Sequence, residues 1–127
     1  MTTHTEAFAQ VREHLRPVFE NSPDGVYVWL DDDNKTCNDH LAKMFGYTVA
    51  EWEAVDDFAT AFIAESDRGV YVWNYQNRVV DLQFPVTFRF RALRKDGSDF
   101  AAETDMIPLT YGGHVFAYHF VRAVTAG

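Results

Sequence analysis

The chain is 127 residues long, 47% hydrophobic and 16% aromatic, and carries a formal net charge of −8. That length suits one domain burying roughly two thirds of the surface its unfolded chain would expose, and the acidity speaks against nucleic acid or an anionic membrane surface as partner. No apolar run nears the roughly 20 residues of a bilayer crossing, no signal-peptide pattern follows Met1, and a single cysteine, Cys37, closes no internal disulfide, so a cytoplasmic setting is expected.

From Thr5 onward, Phe8, Val11, Leu15, Val18 and Phe19 recur at helical spacing and form the stripe of an amphipathic helix. Pro17 predicts a kink or a restart within it. Asn21-Ser22-Pro23-Asp24-Gly25 ends the helix, which divides the chain into an N-terminal helix, 1–20, and the domain proper, 21–127. Val26 to Leu30 is apolar or aromatic at every position, so a strand buried on both faces is expected. Asp31-Asp32-Asp33-Asn34 then turns the chain into a short strand at Lys35 to Cys37, since three aspartates without a calcium-loop continuation make a turn. Asn38 or Asp39 caps a helix that begins near His40, buries Leu41, Met44 and Phe45, and stops at Gly46. Thr48 caps another turn through Trp52, and 54–64 has the mixed character of short helical turns. A longer helix is predicted from Ser66 or Asp67 to near Val80, with Val70, Trp73, Asn77 and Val80 on one face and Tyr71 and Tyr75 beside it.

The pattern then changes. Thr87, Arg89 and Arg91 alternate with Phe88 and Phe90, the period of a strand with two different faces, and Asp96-Gly97 supplies a hairpin turn. Tyr111-Gly112-Gly113 is a second turn signal, followed by a strand from Val115 to Val124. The elements add up to an α+β fold: a five-stranded antiparallel sheet with short helices on one face and an N-terminal amphipathic helix.

Three segments, in order, resemble the PAS domain family. Phe19-Glu20-Asn21-Ser22-Pro23-Asp24-Gly25-Val26-Tyr27-Val28 is similar to the family's entry into its first strand. Asn38 with Leu41, Phe45-Gly46-Tyr47 and Glu51-Trp52 resembles its asparagine-to-GY segment. Phe90-Arg91, Arg94-Lys95-Asp96-Gly97-Ser98-Asp99-Phe100 and Pro108 resemble its hairpin. The likeness runs from Leu15 to about Thr125 and implies a sensory or protein-interaction module of signal transduction, usually dimeric, with a cavity between sheet and helices. Members hold haem, flavin, small metabolites or nothing, so the fold alone does not name a ligand. Ala123 stands where the family's exit strand commonly carries an aspartate.

Particular chemistries fit poorly. The light-sensing branch needs a cysteine in an Asn-Cys-Arg-Phe context on a helix, whereas Cys37 precedes Asn38 on a predicted strand, where a small buried hydrophobe is expected. Haem in the family usually takes a histidine from the long helix, and Asp67 to Leu82 contains none; His40 and His119 are the distant alternatives. The five histidines lack zinc spacing, and no serine lies in a nucleophile elbow. No enzyme activity is expected, and the cofactor is left open. A small enzyme with a buried carboxylate would have Glu103 and Tyr118 to draw on. A ligand-free interaction module with a filled core is the other alternative.

The expected ligand pocket lies between the sheet and the helices at 41–45 and 67–82. Its candidate lining is Val28, Met44, Trp73, Phe88, Phe90, Met106 and Tyr118. Apolar residues occupy both alternating sets in 26–30 and 115–121, and one narrow helix is little cover for the outer face of five strands. A homodimer through the N-terminal helix and the outer sheet face is therefore expected, beside a possible signalling protein partner.

Overall fold

The computed structural model describes residues 3–74 and 86–124, so the expectations for Tyr75, Asn77 and Val80 lie outside the described residues. In chain order the elements are α1 (His4–Asn21), β1 (Gly25–Asp31), β2 (Asn34–Cys37), α2 (Asp39–Phe45), α3 (Val49–Glu53), α4 (Phe58–Phe62), α5 (Glu65–Asn74), β3 (Val86–Leu93), β4 (Asp99–Ile107), β5 (Thr110–Tyr111), β6 (His114–Val115) and β7 (Ala117–Ala123). The main sheet has the order β2-β1-β7-β4-β3, with every neighbouring pair antiparallel, as expected.

β1 lies between β2 and β7 and is buried along almost its whole length. Alternation sends Tyr27 and Trp29 to the face covered by α2–α5, where they join Leu41, Phe45, Trp52, Phe62, Tyr71, Phe90 and Phe100. Val28 and Leu30 go to the other face, where they pack with Phe116 under Ala7, Phe8 and Val11 of α1. The expected narrow stripe on α1 is thus consumed within the chain. Thr3 caps the helix by accepting from the Glu6 amide at 3.1 Å, and the helix runs through Pro17 without a restart. Pro17 is exposed, so water can satisfy the carbonyl that the missing amide leaves open.

The last expected strand is divided. β5 and β6 form a separate hairpin around Gly112 and Gly113, whose φ values of 58° and 82° need glycine. Phe116 then leaves the hairpin, donates its amide to Leu109 at 2.9 Å and buries its ring under α1 before β7 begins. α5 also differs from expectation. Val70 and Trp73, placed together on one face, are 65% and 55% exposed, while Tyr71 is the residue that turns into the core. Four consecutive apolar or aromatic residues, 70–73, leave the buried side of such a helix undecided by periodicity.

Asn38 joins the entry strand to the first covering helix. Its side-chain oxygen accepts from the Leu41 amide at 2.9 Å and the Val26 amide at 3.0 Å, and its nitrogen donates to the carbonyls of Asp24 at 3.1 Å and Phe19 at 3.3 Å. α2 then lies so close to β1 that a Cβ on Gly25 would meet Leu41 at 3.0 Å. Replacing Asn38 by alanine removes a cap and orphans a buried amide. A loss of about 2–4 kcal/mol is expected in urea unfolding, with Asn38→Asp, which keeps the acceptor but not the donors, falling between the two.

Candidate ligand site between sheet and helices

β1 and β7 pair so that Tyr27 lies directly opposite His119, both on the helix-covered face. α5 lowers Tyr71 onto them. The Tyr71 hydroxyl is 3.1 Å from His119 Nδ1, and the Tyr27 hydroxyl bonds both the Tyr71 hydroxyl and the same nitrogen. All three residues are buried. Burial pushes the Tyr71 phenol well above its ordinary range and lowers His119 to about 3, so at neutral pH the cluster is uncharged.

A neutral imidazole with Nδ1 engaged leaves Nε2 over, as a donor or an acceptor according to the tautomer. Here Nε2 has no partner, and neither do two other buried polar atoms, Thr104 Oγ1 and Trp52 Nε1. Phe100 and Ala102 of β4 belong to the helix-side core, so Thr104 and Met106 face the same way. The register puts Thr104 opposite Val121 and Met106 opposite His119. An orphaned buried polar atom costs about 1–3 kcal/mol, and three of them on one core call for a partner.

Around this polar centre the core is aromatic. Trp52 stacks on Phe62 with centroids 5.1 Å apart, and Tyr71 meets Phe90 and Phe88 edge-on at 4.9 and 5.6 Å. The void left among Tyr27, Leu41, Trp52, Phe58, Tyr71, Phe90 and their neighbours is about 10 Å³, the room of a single water.

Of the residues expected to line the pocket, Phe88, Phe90 and Met106 lie on the helix-covered face of the sheet. Met44 packs at its margin and also borders an open groove of about 680 Å³ formed with Asp24, His40, Lys43 and Arg122. Val28 and Tyr118 are corrections: they lie opposite each other on the α1 face. Trp73 is mostly exposed. In β1 and β7 both alternating sets are apolar, so the sequence pattern does not say which set turns inward; in β3, where Thr87, Arg89 and Arg91 mark the wet side, it does. Tyr27 and His119 are hidden from the sequence pattern for that reason, and Tyr71, Thr104 and Trp52 because contact between distant elements is not written in any local motif.

Glu103 and Tyr118 do not make the buried pair considered for an enzyme. Glu103 sits on the α1 side of the sheet, where Arg122 and Arg89 hold its carboxyl below the usual range. Arg122 also reaches Asp105 at 2.9 Å and Asp24 at 3.1 Å. With Thr87 and Arg91 alongside, half of this sheet face is a charged ladder, so the apolar outer patch expected to need a second subunit is absent among the described residues. Cys37 is buried on the helix-covered side with its thiol pushed up by burial, an inert position. No described helix is long and apolar enough to cross a membrane.

A sheet in this order, with α2–α5 on one face and α1 on the other, defines a small α+β fold. The chain belongs to the PAS domain family, whose model matches residues 13–76. Solved structures agree in fold. A PAS domain from Colwellia psychrerythraea is 19% identical with a TM-score of 0.71, covering 91% of this chain and 98% of that one. The PAS domain of a LuxR-family transcriptional regulator from Burkholderia thailandensis, in complex with ethanol, is 18% identical with a TM-score of 0.68, covering 87% and 97%. A sensory box histidine kinase/response regulator from the same organism is 16% identical with a TM-score of 0.62, covering 90% and 85%. No curated protein matches the chain in sequence.

The neutral His119 makes stability depend on pH with a definite sign. Its folded value, about 3, lies below the ordinary 6.5, so between those values the unfolded chain binds a proton that the folded chain refuses. Stability is complete above about pH 6.5 and falls toward pH 3, with a limiting slope of about 1.4 kcal/mol per unit for one proton. Glu103 and Asp105, also lowered, add losses of the same sign at lower pH. Urea midpoints between pH 7 and 5 should fall for the intact protein, and fall less for His119→Gln.

Proposed function

We propose that this PAS domain is a sensory module of signal transduction that holds a small ligand between the sheet and the helices. The observation that carries the reading is the buried Tyr27–Tyr71–His119 cluster, together with three buried polar atoms that have no partner in an otherwise aromatic core. A module built only to associate would be more stable with apolar residues at those positions. The similar regulator domain was solved in complex with ethanol, which by analogy of fold supports a small ligand here. A second reading, an interaction module without ligand, is favoured by the void of only about 10 Å³.

Native mass spectrometry of the purified protein separates the two. A small mass released on denaturation is expected, and an empty core with no thermal shift in a small-molecule screen would favour the interaction module. Absorption spectra should show no haem band and no flavin that survives dialysis, because Cys37 is buried and inert and the described part of α5 carries no histidine.

In this reading the output passes to a second copy or to a signalling protein. α1 uses its apolar stripe inside the chain, so this reading gives the contact to the charged half of the outer sheet face around Arg122. Light scattering at micromolar concentration should give the mass of two chains and shift toward one at high salt. A single-chain mass at every concentration would remove the second copy from the reading.

A further inference from the structure

The chemistry and route of the ligand follow from how two voids meet at α5, and this inference rests on the sensory reading above. Beside the enclosed void lies a second, of about 90 Å³, lined by Asp67, Val70, Tyr71, Phe88, Arg89 and Phe90. Tyr71 and Phe90 line both voids, so those two rings are the wall between them. The second void reaches the surface at Val70 and Arg89, which are exposed. Tyr71 is held in the wall by its hydroxyl bonds to Tyr27 and His119. A ligand hydroxyl can take over both bonds, because it donates and accepts as the phenol does.

Asp67 and Arg89 stay at the rim of the outer void, and no charged residue lines the enclosed one. The one buried lysine or arginine among the described residues is Lys35, whose ammonium already donates to the carbonyls of Asp32 and Val55. No aspartate or glutamate is among the buried residues, and His119 is neutral. A carboxylate or an ammonium would therefore be buried without a counter-charge. The walls are rings; of the buried residues with an atom awaiting a partner, Trp52, through its indole N–H, lines the enclosed void, while Thr104 and His119 share the helix-covered sheet face without lining it. We propose that the site takes a small uncharged ring compound bearing a hydroxyl, of the phenol type, which enters between α5 and β3 and displaces the Tyr71 hydroxyl from Tyr27 and His119.

The probes are phenol, toluene and benzoate, titrated into the intact protein by calorimetry and by backbone amide NMR. Phenol should bind saturably, with shifts centred on Tyr71, Thr104 and His119, and toluene and benzoate about tenfold more weakly or worse. Tyr27→Phe should weaken phenol about tenfold and leave toluene unchanged. Thr104→Val, nearly isosteric, should also weaken phenol and serves if Tyr27→Phe does not fold. Equal binding of toluene or benzoate, indifference of phenol to both substitutions, or shifts centred elsewhere would overturn the proposal. A charged molecule recovered from the purified protein at this site would overturn it while leaving the sensory reading intact; no retained ligand and no bound probe would sink both.

Discussion

Everything in this fold depends on β1 being buried on both faces. A strand with no wet side must have cover above and below, and the chain supplies it from two sources: α1 on one face and α2–α5 on the other. Asn38 ties these together, since its one side chain bonds the carbonyl of Phe19 in α1, the amide of Val26 in β1 and the first turn of α2. The close approach at Gly25 belongs to the same constraint, because α2 can seal the helix-side core only by lying against the start of β1.

The two faces are built on different principles. The α1 face divides into an apolar half under the helix and a charged half where Arg122 gathers Asp24, Glu103 and Asp105. These pairs are partly exposed, so each adds little to stability, but together they keep that half of the sheet polar. The helix face is a ring-lined core with a neutral polar centre. Placing a histidine and two tyrosine hydroxyls in such a core sacrifices stability that apolar residues would have supplied. In the proposed reading, that pattern serves to recognise a ligand.

In the proposed ligand-binding reading, Tyr71 links the polar centre to the surface void. It comes from α5, a short helix with two exposed apolar residues, and it touches the polar centre and the wall toward the surface void at once. A change in what occupies the core would thus be felt first by α5 and by β3, which it packs against. The bond from the Arg91 amide to Asp67 and that from the Ala64 amide to the Arg91 carbonyl couple this helix segment to the sheet edge.

The sequence by itself determined the order of the helices and of the five main strands, the cap at Thr48, a cap at Asn38 or Asp39, and the family resemblance. Each rests on local chemistry: a side chain that can accept an amide, a glycine that reaches positive φ, an alternation with one wet side. It also placed Phe88 and Phe90 inward, because arginines marked the other set. Only the tertiary structure decided which set of β1 and β7 turns inward, and therefore that Tyr27 and His119, not Val28 and Tyr118, meet Tyr71. When both alternating sets are apolar, period alone carries no direction; the sign comes from which helix lands on which face, a contact between residues far apart in the chain.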